Sequence, residues 1–282
     1  MKIAVTSASG KLGSAIVNQL KTMHPAEYII AIARTPERAK NLGVEVRQGD
    51  YNEKSQYDTA LKGVDAVLLV SGMDAPDKRI QQHRNVINAA KEAGVTKIVY
   101  TSVIGEASGN NFSPIVASNR QTEKDVRNSG LQWVIGRNGL YIEPDVEYID
   151  AYIKEGKIAN CAGAGKCSYT TRDELGFAYA KMLKESAHNG NTYYLTGESM
   201  TQQQLADFLN GAFDADLVYE SMSVEAFLQR EIAELGDFLG TVIAGIYHGI
   251  RDGAFEAPSD YATAAGRRHI AWADYFDQLK TS

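Results

Sequence analysis

The sequence predicts an α/β fold, a doubly wound parallel sheet carrying a smaller C-terminal lobe. Two observations carry that expectation. From the N-terminus to Gly136, short apolar runs alternate with segments of helical periodicity, the pattern of repeated βαβ units. Beyond about residue 150 the alternation stops and helices dominate. A third observation, a turn bearing Gly10 and Gly13 between the first apolar run and the first helix, says where a ligand would sit.

Ile3, Ala4 and Val5 form the first strand, and Leu12, Ile16 and Leu20 recur at helical spacing. The turn between them reads Thr6-Ser-Ala-Ser-Gly-Lys-Leu-Gly13. It gathers unpaired backbone N–H groups and the positive end of the helix dipole at one point, which suits a pyrophosphate. In a strand–turn–helix context the pattern points to a dinucleotide. Gly10 lets the backbone approach the phosphates, and Gly13 lets the helix pack on the strand; Ser7 stands where the usual pattern has its first glycine.

The second strand, residues 28–33, ends at Arg34, about 20 residues past the turn, where an Asp or Glu would hold a ribose diol. A guanidinium there suits a 2′-phosphate, because its planar fork makes paired charge-assisted bonds. The expected cofactor is therefore NADP(H), preferred over NAD(H). Lys11 and Arg38 are either helpers or solvated helix charges.

The alternation continues with a strand over 44–48, a short helix over 54–61 and a fully apolar strand over 66–70. A helix over 75–93 buries Ile80, Val86, Ile87 and Ala90 and stops at Gly94. A strand over 97–101, a polar loop over 102–111, a helix over 115–128 and a strand over 131–136 complete the sheet. Ligands on such sheets bind beyond the carboxyl ends of the strands. That rule selects residues 7–12, Arg34, 71–73, 102–112 and 137–141 as the rim of one crevice.

In the second half, Thr171 caps a helix over 173–183, residues 192–195 form a strand, and Thr201 and Ser223 open further helices. A closing helix covers 271–279. The expected division is a nucleotide-binding domain over 1–150 and a substrate-binding lobe over 151–282, partly interleaved with the sheet. The apolar stretch 238–250, with Gly240, Gly245 and Gly249, is either a pocket wall or the face of a homodimer.

Composition narrows the function classes. With 44% hydrophobic and 23% charged residues, this is an ordinary globular chain. Its net charge of −6 gives no reason to expect nucleic acid or an anionic membrane as partner. No apolar run reaches the roughly 20 residues that span a bilayer. Cys161 and Cys167 match no metal spacing and fit a reducing compartment, so the expected location is the cytoplasm. His83 reads as a satisfied structural histidine.

Several ordered segments now carry a resemblance. After the glycine turn come Arg34-Thr-Pro, Gly49-Asp-Tyr51, Gln82-His-Arg-Asn-Val-Ile-Asn-Ala-Ala90, Ala93-Gly-Val95, Tyr100-Thr-Ser102, Thr122-Glu-Lys124, Arg137-Asn-Gly-Leu-Tyr141 and Thr170-Thr-Arg-Asp173. The chain resembles the NmrA-like atypical short-chain dehydrogenase/reductases, most closely their type 2 NAD(P)H:quinone oxidoreductase branch. That resemblance implies a Rossmann fold, NADPH, and hydride transfer to a small quinone. It places Ser9, Gly10, Lys11 and Leu12 at the pyrophosphate, Arg34 at the 2′-phosphate, and Thr6, Ser7 and Gly13 among the cofactor-binding residues. Asp50 and Tyr51 would flank the adenine, with Ser71 and Gly72 on the adenosine side. Thr101 and Ser102 would be cofactor-binding residues, and Lys124 would approach the nicotinamide ribose. Asn138, Gly139, Leu140 and Tyr141 would line the nicotinamide and substrate end, and Arg172 matches an arginine of the quinone reductases. Asn119 departs from that branch, which has a histidine there.

No tyrosine in the chain is followed by lysine four residues later, so the Tyr–Lys dyad of conventional short-chain dehydrogenases is absent. Quinone reduction tolerates that. A ketone receiving hydride becomes a strongly basic alkoxide, whereas a quinone becomes a phenolate whose acid has a pKa near 10. The enzyme then needs mainly to hold the reactants about 3–3.5 Å apart, and Asn138 and Tyr141 are the residues expected to orient the ring. Ser102 either polarises a carbonyl or caps its loop; Lys124 either reaches a ribose or belongs to a solvated helix face. A second reading is an NADP-sensing regulator that binds the cofactor without turnover.

Overall fold

A computed structural model describes residues 1–280. The chain opens with β1 (Ile3–Val5), α1 (Lys11–Met23), β2 (Ile29–Ala33), β3 (Glu45–Gln48), α2 (Lys54–Ala60), β4 (Ala66–Leu69) and α3 (Pro76–Glu92). There follow β5 (Lys97–Val103), α4 (Ser113–Arg127) and β6 (Gln132–Asn138). These strands lie side by side in one parallel sheet with β1 near its middle, Ile3 pairing with Ile29 on one side and Ala66 on the other. The order across the sheet reverses at β1, with β2 and β3 to one side and β4, β5 and β6 to the other. Such a switch point opens a crevice at the carboxyl ends of the strands.

Strand alternation sorts the core into two layers. Ile3, Val5, Ala31, Leu68, Val99 and Val134 face α1, while Ala4, Ile30, Ile32, Val67, Leu69 and Ile98 face α2 and α3. All of these side chains are fully buried, so the sheet is covered on both faces, as a parallel sheet must be.

The second half comprises β7 (Leu140–Tyr141), α5 (Glu143–Glu147), α6 (Ile149–Glu155), β8 (Lys157–Asn160), β9 (Lys166–Thr170) and α7 (Arg172–Lys184). It continues through β10 (Thr192–Leu195), β11 (Ser199–Thr201), α8 (Gln202–Phe213), β12 (Val218–Ser221), α9 (Val224–Leu235), α10 (Asp237–Arg251), α11 (Tyr261–Ala265) and α12 (Trp272–Leu279). Part of this second half is interleaved with the large sheet. Strand β10 returns to extend the large sheet beside β6, and α7 packs along α1 as the layer that covers it. The remaining strands form two small sheets, β11-β9-β7 and β12-β8, over a third core that contains Ile158, Leu205, Leu209, Phe255 and Phe276. The expected caps are in place: Thr171 accepts from the Glu174 amide, Thr201 makes a capping box with Gln204, and Ser223 accepts from Ala226.

Two expected loops are strand instead. β5 runs to Val103 and β6 to Asn138, because Ser102 pairs with Arg137 and Val103 with Asn138 across the ladder. Leu140 and Tyr141 then pair with Tyr169 and Thr170 as β7. In α10, Gly245 and Gly249 lie against residues 110–112 and Phe255 of the same chain. Among the described residues, no helix is long and apolar enough to cross a membrane.

Candidate cofactor and active site

The turn after β1 is bolted to its neighbours. The Thr6 amide donates to the Leu68 carbonyl and the Ala8 amide to Ile32, each at 3.0 Å. Gly10 is the N-cap of α1 and brings no side-chain cap, so the amides of the first turn keep no side-chain partner. A Cβ on Gly13 would lie 2.4 Å from the Ser7 carbonyl oxygen and 2.9 Å from Ala8 Cα, so only glycine lets helix and turn approach this closely. Turn and helix end thus form a cradle of backbone donors with Ser9 and Lys11 at its rim and Leu12 buried behind it.

Ser7 adopts the left-handed backbone, at φ +49°, that the missing glycine would have taken. Its hydroxyl donates to the Tyr51 hydroxyl at 3.2 Å. The Tyr51 hydroxyl also meets Thr6 Oγ1 at 2.6 Å and donates to the Val70 carbonyl at 2.6 Å. Burial pushes the Tyr51 phenol up to about 12. The structure therefore puts this phenol beneath the glycine turn as its support. Asp50 is engaged locally, its Oδ1 accepting from the Asn52 amide and side chain at 2.9 Å each. Arg34, exposed just past β2, has no hydrogen bond or ion pair among the described residues, and its charge helps lower the Asp74 carboxyl.

The loop after β4 is held from below. The Ser71 amide donates to Thr101 Oγ1 at 2.8 Å, and the Gly72 amide donates to His83 Nε2 at 3.0 Å. Since Nε2 accepts, His83 carries its proton on Nδ1, which meets Thr122 Oγ1 at 2.9 Å. Burial, aided by the nearby Arg79, lowers the His83 pKa to about 3, so the ring is neutral. Arg79 donates to the Gly72 carbonyl at 3.2 Å and to Ile115 O at 2.8 Å. Sequence reasoning missed Arg79; its only signal was a position four residues before His83 on one helix face. Asn119 is likewise structural: its Oδ1 accepts from the Tyr100 hydroxyl at 2.6 Å and from the Ser71 hydroxyl at 3.1 Å.

At the other end of the crevice, the Tyr179 hydroxyl donates to Asn138 Oδ1 at 2.5 Å and to the Gly136 carbonyl at 3.0 Å. Gly139 sits so close to β9 that a Cβ would fall 2.4 Å from the Ser168 carbonyl oxygen. This contact sets the direction in which Leu140 and Tyr141 leave the sheet. Arg172, first residue of α7, lies over the half-buried Tyr141 ring with Cζ 5.2 Å from its centroid. Its amide donates to Glu143 Oε1 at 2.6 Å, and its guanidinium reaches Glu147 at 3.3 Å. Glu147 also binds Lys11 at 2.7 Å, linking the phosphate turn to the small lobe. Burial raises the Glu143 carboxyl.

Two expected site residues stand elsewhere. Lys124 belongs to the solvent stripe of α4 with Pro114, Ala117 and Asn128, opposite the face that buries Asn119 and Glu123. Ser102 points under α4, where its hydroxyl donates to Glu123 Oε1 at 2.7 Å and is not free to polarise a carbonyl. Glu123 is 1% exposed and paired with Arg120, Arg127 and Arg137 at 2.9, 3.1 and 2.8 Å. Burial alone would raise this carboxyl, but hydrogen bonds from Arg137 and the charge of Arg120 hold it below the usual range. Arg137, expected in the crevice, is consumed by this cluster and by the Tyr194 hydroxyl at 2.8 Å.

This fold is shared with known proteins. Residues 7–158 match a family of NAD(P)H-binding proteins. This chain belongs to that family. It is 37% identical to quinone oxidoreductase 2 of Escherichia coli over 80% of this chain and 79% of that protein. The Escherichia coli NADPH-dependent quinone oxidoreductase solved with NADPH superimposes with a TM-score of 0.90, at 33% identity over 98% of this chain and 99% of the other. The triphenylmethane reductase of Citrobacter sp., solved with NADP(H), superimposes at 0.89 and 32% identity, covering 99% and 100% of the two chains. The match spans both lobes, so this NAD(P)H-binding oxidoreductase shares its small lobe, as well as its Rossmann sheet, with reductases.

Proposed function

We propose that this oxidoreductase reduces small quinones, uses NADPH in preference to NADH, and works without a Tyr–Lys dyad. The observation that carries the reading is the pairing of a cradle of backbone donors with Arg34, a strand-end cation with no hydrogen bond or ion pair among the described residues. Gly10 and the first-turn amides of α1 would hold the pyrophosphate and Arg34 the 2′-phosphate. Ser71 and Gly72, fixed by Thr101 and His83, would line the adenosine side. NADPH, when bound, supplies the hydride.

The chain's own work is then positioning. Asn138 and Tyr141, held by Tyr179 and Arg172, present an amide and a phenol to the substrate oxygens. Met73, 90% exposed on the loop after β4, offers apolar surface to a flat ring. A quinone needs no strong acid from the protein, since its reduced form leaves as a weakly basic phenolate that water can protonate. The absence of a tyrosine followed four residues later by lysine agrees with such a substrate.

Mixing the purified protein with NADPH and a benzo- or naphthoquinone, and following the loss of reduced-cofactor absorbance, tests the proposal. The expected result is saturable turnover with NADPH and weaker turnover with NADH. Tight NADPH binding without turnover of any quinone would overturn the enzyme reading and leave a cofactor sensor.

A further inference from the structure

In the second half of the chain, α6, β8, α9 and α10 line a partly open cavity of about 250 Å³. Two aromatic pairs line it. Tyr148 and Tyr152 meet edge to face with centroids 5.1 Å apart, and Phe227 and Tyr247 do so at 5.3 Å. Tyr247 and Phe227 are set within the lobe and Tyr148 is 47% exposed at the mouth, so rings extend from floor to rim.

Carboxylates complete the lining. Glu155 and Glu234 are exposed at the rim, and Glu231 is buried inside. The single cation among these walls is Arg230, and its charge is already spoken for. It binds Glu231 at 3.0 Å, donates to the Ala159 carbonyl at 2.7 Å and lies 4.8 Å over the Phe227 ring. Glu155 and Glu234 therefore remain as surplus negative charge around an aromatic cavity. Behind the wall, the buried Asp145 accepts from the Tyr152 hydroxyl at 2.9 Å, adding a further acidic group to the same side.

Ring faces carry negative quadrupole density, and they attract a cation most strongly where water is excluded. Carboxylates at the mouth add long-range attraction and disfavour anions. We propose that this cavity is a second binding site, specific for a compact organic cation such as a quaternary or aromatic ammonium. Its volume lies below the roughly 300–1,000 Å³ of sites for drug-sized ligands, which limits the ligand to a small one. The site is separate from the phosphate cradle and does not depend on the redox reading. Its walls begin immediately after α5, the helix whose Glu143 and Glu147 engage Arg172 and Lys11.

Titration calorimetry with benzyltrimethylammonium, neopentylbenzene as its uncharged isostere and benzenesulfonate tests the proposal on the full chain. The expected result is one-to-one binding of the cation alone, with the same affinity when NADPH is saturating. Glu155→Gln combined with Glu234→Gln, at exposed positions that leave the core intact, should weaken the cation about tenfold without changing NADPH affinity. Tyr148→Leu should weaken it to a similar degree. Absence of cation binding at millimolar concentration, equal binding of the isostere, displacement by NADPH, or indifference to these substitutions would each overturn the assignment.

Discussion

At the scale of single residues, the phosphate turn shows how one departure is absorbed. A non-glycine residue in the left-handed region costs about 1–2 kcal/mol. At Ser7 that cost is met by the hydroxyl's bond to Tyr51, which is itself anchored on Thr6 and Val70. The turn keeps its shape with a different residue because its support comes from below. Arg34 is the opposite case, a side chain whose surroundings in the chain leave it free. A bidentate contact between charged groups contributes about 1.5–3 kcal/mol. Arg34→Ala should therefore weaken NADPH binding about tenfold or more and change NADH binding by less than about threefold. Fluorescence titration with both cofactors measures the ratio; equal losses for the two would remove the 2′-phosphate assignment.

At the scale of elements, α3 and α4 act as scaffolding for the loop after β4. The His83 ring accepts the Gly72 amide only while it is neutral. Its folded pKa of about 3 lies below the ordinary histidine value of 6.5, so protonation favours the unfolded chain. The stability it contributes is complete above pH 6.5 and is lost as pH falls from there toward 3, by up to about 1.4 kcal/mol per pH unit. His188 and His269 are also lowered by burial and add to the same trend. Thermal melts between pH 7 and 4 should therefore show a steep decline, and His83→Gln should flatten it while costing stability at pH 7. An unchanged slope in the variant would show that the ring is not held neutral. Much at this scale was legible in the sequence: apolar runs placed β1 to β4 to within one residue at each end and β5 and β6 to within two, and Thr171, Thr201 and Ser223 marked helix starts. What was hidden were long-range partners. Nothing local says that Ser102 and Arg137 pair across a ladder and spend their polar groups on Glu123. Nor does it say that Tyr51 reaches under a turn formed more than forty residues earlier, as the bond from Thr6 shows. The outward face of Lys124 could have been read, because Pro114, Ala117 and Asn128 recur with it at helical spacing.

At the scale of the whole molecule, the two lobes are tied together at the crevice itself. β10 and α7 pass from the small lobe into the Rossmann sheet, so the lobes share a covalent and a packed boundary. Across the mouth, Glu147 of α5 bridges Lys11 at the phosphate turn and Arg172 beside Tyr141. The Lys11–Glu147 pair is largely exposed, with side chains 63% and 52% accessible, so it adds little to stability. Its consequence is electrostatic: it sets a carboxylate beside the cradle where pyrophosphate charge would lie, and it occupies the ammonium of Lys11. Glu147→Gln should release Lys11 toward the phosphates and remove a repelling charge. The expected effect is an NADPH affinity raised about two- to threefold at low ionic strength, fading as salt shortens the screening length. Melting temperature should stay within about 1–2 °C, since a surface substitution of this kind changes stability little. Titrations at 20 mM and about 0.5 M salt separate the outcomes. A gain that survives high salt would mean that the bridge restrains the lobes mechanically, and a loss of affinity at low salt would mean that Glu147 positions Lys11 for the phosphate and does not compete for it.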